Sequence, residues 1–327
     1  MAGAGYRTFA SGEVLTANNV QTYLMDQAVQ VYAGTAARAS AVPSPSTGMV
    51  AYSTATGLQV FNGSAWTNVG GASYGVATGG ASTAITVAGT AYTMLTFTSD
   101  SNLVVSTAGL FDYYIVAGGG GGGGAGQTNT PGGGGGAGGL SQGTIYLTAA
   151  THTIKIGAGG AGGAAGNGDK SGRSGLGSCI GSQTLGVYAN GGGKGAQYNN
   201  QNPEIGGSGG GGSYDSATGA AASVSGVTGY AGGNGGPDVG SGGGGGQGGA
   251  GGNGGSGAGT AGAGLSPSTF TGGTFTTTIG VGGAGKLSGT SAGTAGAANT
   301  GNGGDGAVGS TAGGAGGSGR IFVRFKV

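Results

Sequence analysis

Along the first third of the chain the apolar positions change period. Val20, Leu24, Ala28 and Val31 recur at spacings of four, four and three residues, Thr16 stands where an N-cap belongs, and Gly34 stands where a C′ glycine belongs. The spacing predicts a helix over residues 16–33. Tyr23, Met25, Val29 and Tyr32 widen the stripe until Asp26 is its only charge. A helix that apolar needs several partners, and neighbouring subunits are a natural supply, which marks Val20, Leu24, Ala28 and Val31 as oligomerisation positions. Packing on its own chain is the alternative.

Beyond the helix, residues 38–47 are rich in Pro, Ser and Thr, and Pro43 and Pro45 predict an extended connector. The alternation then takes a period of two. Residues 49–52, 58–61 and 65–69 read as three short strands, the last two joined by an Asn62-Gly63 hairpin turn. Three such strands are not stable alone, which again points to assembly or docking. Residues 85–87, 92–97, 103–105 and 111–116 alternate as a small antiparallel sheet, and further short strands or loops are expected at 144–147, 151–156, 184–188 and 275–279. In the closing stretch 320–327, Ile321, Val323, Phe325 and Val327 face one way while Arg324 and Lys326 face the other. That strand is expected to return to the sheet that ends before Gly118, making the intervening tract a long insertion anchored at both ends.

Glycine then changes the picture. Of 94 glycines in 327 residues, 14 lie in residues 1–116 and the other 80 in residues 117–327. Each ordered residue costs about 1–2 kcal/mol of backbone entropy, and glycine buries no side chain in return. The tract is therefore either disordered or held by its main chain. Residues 156–162 (IGAGGAG) and 279–285 (IGVGGAG) match at six of seven positions, each after a threonine-rich strand, which favours order in pseudo-repeating layers. A strict period of three is absent, so collagen is excluded. Polyglycine II helices have no internal hydrogen bonds and must pair sideways, and glycine lets them approach closely. The fold expected is mainly β with one N-terminal helix, a small β-meander and β-sheet followed by a glycine-rich domain of packed polyglycine II-type helices whose loops gather at one end.

Charge adds little. Ten Lys and Arg face nine Asp and Glu, so there is no electrostatic footprint for nucleic acid or an anionic membrane. The first residues lack a signal-peptide apolar region, and no apolar run is long enough to span a bilayer, so a chain made in the cytoplasm without membrane insertion is expected. One cysteine, Cys179, excludes an internal disulfide.

Catalytic chemistry finds few residues. In so glycine-rich a tract G-x-G-x-x-G arises by chance about ten times and carries no information. Gly280, Gly285 and Lys286 fit a phosphate loop, but Leu287 replaces its Ser or Thr and no strand-loop-helix context follows. Residues 232–236 start like a calcium-binding repeat, but Pro237 stands where aspartate is needed. His152 is the only histidine and shares a strand face with Ile154 and Ile156, so a general base and a zinc site both lack partners. Cys179 reads as a small buried apolar residue. Asp169, Glu204, Asp215, Asp238 and Asp305 fall in loops and leave a carboxylate pair open, with no apolar pocket evident to raise an acid's pKa. No catalytic residue, metal or cofactor is expected.

The glycine-poor interruptions carry the candidate binding chemistry. Residues 197–204, 213–216 and 265–275 concentrate amides, aromatics and hydroxyls, the adaptable chemistry of recognition loops. Tyr198, Asn199, Asn200, Gln201, Asn202, Tyr214, Asp215 and Phe270 are the receptor-contact candidates. The alternative is that these are turns joining one glycine segment to the next.

The stretch 9–27 (FASGEVLTANNVQTYLMDQ), with 43–52 (PSPSTGMVAY) and 60–66 (VFNGSAW), resembles the start of minor tail proteins of bacteriophages that infect actinobacteria. The run 111–117 (FDYYIVA) into Gly118 and the ending 320–325 (RIFVRF) are similar to the glycine-rich domain at the ends of phage tail fibres and adhesins. The resemblance implies a virion protein of the tail, commonly a homotrimer. Residues 1–70 would attach to other tail proteins and oligomerise, 71–117 form strands, 118–319 form the outward glycine-rich domain, and 320–327 close it. The partner implied is a host-surface glycan or protein, and the role is attachment without catalysis. A purely structural tail or head component and a tail-associated depolymerase are the alternatives.

Overall fold

The computed structural model describes residues 10–20, 29–69, 73–127, 129–166, 170–181, 186–197, 202–215, 217–222, 228–237 and 240–327. The fold is mainly β, and the chain divides into two compact units, Met1–Ser73 and Tyr74–Val327.

In the first unit the described part of the expected helix is α1 (Ala17–Val20), with Val20 half-buried. Leu24 and Ala28 lie outside the described residues. Val31 is not helical: it is 68% exposed in β1 (Gln30–Tyr32), which pairs in parallel with β2 (Val50–Ser53). A β-branched residue beside tyrosine suits a pleated edge better than a helix once a ladder is available. Gly34 accordingly precedes α2 (Thr35–Ala41), whose second half, residues 38–41, lies in the segment expected to be extended. Its alanines favour helix, and it stops just before Pro43, whose ring disfavours the helical region for Val42. Strands β3 (Gly57–Phe61) and β4 (Trp66–Asn68) follow as expected, giving the order β1-β2-β3-β4. At the hairpin the Asn62 Oδ1 accepts from the amides of Ser64 and Ala65, and Gly63 takes φ 102°. Arg38 is buried here. Its guanidinium lies 4.6 Å from the Trp66 ring centroid and donates to Gln59 Oε1, which fixes α2 onto the sheet.

The second unit is built on two five-stranded sheets. The first has the order β10-β9-β14-β7-β6, from β6 (Ala81–Val87), β7 (Thr90–Phe97), β9 (Gly109–Val116), β10 (Leu140–Leu147) and β14 (Arg320–Lys326). The second has the order β13-β12-β11-β8-β5, from β5 (Val76–Thr78), β8 (Ser101–Thr107), β11 (Thr151–Lys155), β12 (Ser178–Ile180) and β13 (Val187–Ala189). The single small sheet expected before Gly118 is thus split, with β8 leaving β6, β7 and β9. The physical reason is that Leu103 and Val105 of β8 face Leu95, Phe97, Phe111 and Ile115 across one core rather than extending their sheet.

The final strand does return. β14 lies in the middle of the first sheet, antiparallel to β9 and to β7, with Val323 opposite both Tyr113 and Leu95. Ile321, Val323 and Phe325 point into the core between the sheets, whereas Phe322 and Arg324 are on the other face. That outer face is covered from the glycine tract. Residues 265–279 fold back over it, closed by a Leu265–Ile279 bridge and carrying the short α3 (Ser268–Thr271), with Gly272 in the left-handed region at its end. Phe275 packs at a tilt on Phe322 at 5.5 Å and Phe270 on Tyr114 at 5.6 Å, and residues 275–279 form no strand beyond that bridge.

Between the strands the main chain itself carries the order. Along residues 118–125 successive amides turn to different neighbours. Gly118, Gly121 and Gly124 donate to Leu176, Arg173 and Lys170; Gly119, Gly122 and Ala125 donate to Gly317, Gly314 and Thr311; Gly120 and Gly123 donate to Gly136 and Gly133. The carbonyls of the same segment accept, again every third residue, from Gly192 and Gly195, from Gly160 and Gly163, and from Gly304 and Ala307. Residues 132–139 behave alike, donating in rotation to segments at 301–307, 190–196 and 242–245. None of these bonds lies within a segment. A Cβ placed on Gly122 would lie 2.0 Å from the Asp305 carbonyl oxygen, and one on Gly123 1.9 Å from that of Ala196, so the spacing admits glycine only. Where a segment lacks a further neighbour, side chains supply the acceptor: Asn302 Oδ1 takes the Val281 amide, Asp305 Oδ1 that of Ala284, and Asn234 Oδ1 that of Gly219. Both copies of the repeat begin at an isoleucine that packs into a hydrophobic cluster, Ile156 against the inner core and Ile279 in the outer one.

Candidate functional site

The direction of the glycine segments sorts their turns. Residues 117–126 leave β9 and 131–139 return into β10, so the turn at 126–131 lies at the end away from the sheets. Residues 213–215 and the turns at 287–290 and 308–311 join it. Tyr214 donates its amide to the Pro131 carbonyl at 3.3 Å, Gly289 donates to Asn129 Oδ1 at 3.3 Å, and Ser310 Oγ donates to the Gly126 carbonyl at 2.7 Å. Thr130 braces its own turn, donating its hydroxyl to the Gln127 carbonyl and accepting the Gln127 amide.

Three of these turns hold a non-glycine residue in the left-handed region: Asn129 at φ 64°, Asp215 at φ 67° and Ser310 at φ 57°. Each such residue costs about 1–3 kcal/mol, and strain of that kind concentrates at ligand clamps and other functional sites. All three are exposed.

Of the residues singled out from sequence, Tyr214 and Asp215 belong to this cluster, Tyr214 half-buried and Asp215 exposed. Asn202 is exposed. Tyr198, Asn199, Asn200 and Gln201 lie outside the described residues. Phe270 stands apart, at the sheet end, against Tyr114 and Arg324. Sequence reasoning passed over Asn129 and Ser310. The signal for Asn129 was the glycine-free interruption 127–131 between two glycine runs.

Several of the titratable groups are spent on structure. The Ser174 hydroxyl, donating at 2.7 Å, and the Lys194 ammonium at 3.0 Å hold the Glu204 carboxyl below the usual carboxylate range. Asp305 pairs with Lys286 at 3.5 Å. Asp169 and Asp238 lie outside the described residues. His152 Nε2 shares a hydrogen bond with the Thr148 carbonyl, and Cys179 is buried, which raises its thiol pKa. Among the described residues no group of three His, Cys, Asp or Glu is placed to hold a metal ion, and no helix is long and apolar enough to cross a membrane.

The family model of the glycine-rich domain matches residues 95–326, from within β7 to the last residue of β14. The chain belongs to the glycine-rich domain family. No curated protein matches it. The limits of the glycine-rich domain fall on strands that are neighbours in the first sheet, so it includes the segments, the far turns and the closing strand.

Proposed function

We propose that this protein is a non-catalytic component of a bacteriophage tail, a tail fibre or tail-tip minor tail protein, whose glycine-rich domain presents its far turns to the host surface. The observation that carries the reading is the cluster of clasped turns at the end of the array opposite the sheets, with Asn129, Asp215 and Ser310 held exposed in left-handed backbone. A platform with little freedom to lose on binding is what an adhesin needs. We read the segments themselves as polyglycine II-type helices, because lateral bonds rotating with a period of three and none within a segment are what that conformation produces.

The resemblance of residues 9–66 to phage minor tail proteins supplies the rest. The first unit would join other tail proteins and form a homotrimer, and its exposed Val14, Leu15, Val29 and Val31 are apolar side chains suited to contacts between copies. The receptor would be a host-surface glycan or protein, and the chain would reside in the virion tail.

The test is adsorption. Purified protein carrying Tyr214→Ala and Asp215→Ala should bind host cells at least tenfold more weakly than the unaltered protein, while remaining folded by circular dichroism. Unchanged adsorption, or a virion map with these turns buried among other proteins, would contradict the reading.

A further inference from the structure

The outer face of the first sheet holds a recess that the far turns do not explain. It has two lobes. One, of about 410 Å³, is walled mainly by Val87, Tyr114, Leu140 and Leu265; the other, of about 340 Å³, by Asp112 and Thr144; Gln142, Phe270 and Arg324 line both. Each volume is in the range of small-molecule sites. The recess exists because the closure 265–279 covers the sheet incompletely, leaving Phe270 between the lobes.

Its polar groups are fixed in advance. The Asp112 carboxylate accepts from Thr144 Oγ1 at 2.7 Å, from Arg324 Nε at 3.1 Å and from the Tyr74 hydroxyl at 3.2 Å. Arg324 is held between the Tyr92 and Phe270 rings, 4.6 and 4.3 Å from their centroids, and also donates Nη1 to the Phe270 carbonyl. Among the described residues its Nη2 has no protein acceptor. Gln142 is exposed and brings an amide, both donor and acceptor, to each lobe. Aspartate and arginine compensate each other's charge, so the recess selects against ions. One lobe is apolar and aromatic, the other lined by donors and acceptors on three neighbouring strands.

A neutral pyranose has this same division, a C–H face for an aromatic wall and a rim of hydroxyls that donate and accept. We propose that the recess is a binding site for one neutral sugar residue, its C–H face against Val87, Leu265 and Phe270 and its hydroxyls hydrogen-bonded by Gln142 and Arg324. It is distinct from the far turns and does not depend on their being an adhesive surface.

Saturation-transfer NMR on the full chain, with the methyl glycosides of glucose, galactose and mannose and with N-acetylglucosamine, tests it. At least one should receive saturation with a millimolar Kd. Gln142→Ala, on an exposed edge position, should weaken that sugar at least fivefold, and Phe270→Leu should abolish the signal while Tyr214→Ala leaves it unchanged. If Phe270→Leu disturbs the fold by circular dichroism, the Gln142→Ala result decides. No transfer from any of the four at tens of millimolar, binding indifferent to Gln142→Ala, or glucuronate binding more tightly than methyl glucoside would overturn the proposal. Host adsorption lost with Tyr214→Ala and Asp215→Ala but kept with Gln142→Ala separates this site from the far turns.

Discussion

Arg324 and Asp112 are 212 residues apart in sequence and 3.1 Å apart across β14 and β9. This ion pair, with both side chains almost wholly buried, locks the end of the chain to the strand that enters the glycine tract. The tract is thereby an insertion between two neighbouring strands of one sheet.

Removing one partner of a buried pair leaves the other charge uncompensated, at a cost of about 3–5 kcal/mol. Arg324→Met should therefore lower the guanidinium midpoint by that equivalent. The double variant Arg324→Met, Asp112→Asn should recover a substantial part of the loss.

The array gives a sharper contrast between chemically identical changes. Gly122→Ala puts a methyl 2.0 Å from the Asp305 carbonyl oxygen, where only backbone could yield, whereas Gly257→Ala has nothing within 4 Å. The first should cost about 3 kcal/mol or more and the second about 0.5 kcal/mol or less, measured by thermal melts.

Tyr114 supplies a pH signature. Burial under the 265–279 closure pushes its pKa up to about 12 from the ordinary 10.0. A raised folded-state pKa means stability that is complete below the unfolded value and lost as pH rises through the folded one. The Tyr114 contribution to stability should fall by about 2–3 kcal/mol between pH 10 and pH 12, and Tyr114→Phe should make the loss shallower in denaturant titrations, the remainder coming from Tyr74, which burial and Asp112 also push up to about 12.

Much of this was legible in the chain. Alternation at Ile321, Val323 and Phe325 identified the returning strand, and Asn62-Gly63 the hairpin, because both depend on local pattern. The place of Val31 was not, since it is equally apolar on a helix or a strand and only its ladder with β2 decides. Phe270 lay in a loop of recognition-like composition but packs on Tyr114, a partner supplied by a strand far upstream. Asn129 and Ser310 were missed because backbone angle, not residue type, distinguishes them. Lateral bonding of the glycine tract followed from its inability to build a side-chain core; which segment bonds which did not, because near-identical glycine runs carry no register.

The central claim is that peptide groups, turned outward in three directions from each inner segment, make the glycine-rich half a rigid body. Hydrogen–deuterium exchange resolved to residues 118–124 and 132–139 tests it most directly. Protection of these amides to the level of the β9 and β14 core is the result predicted; exchange there within seconds, with the sheets still protected, would contradict it.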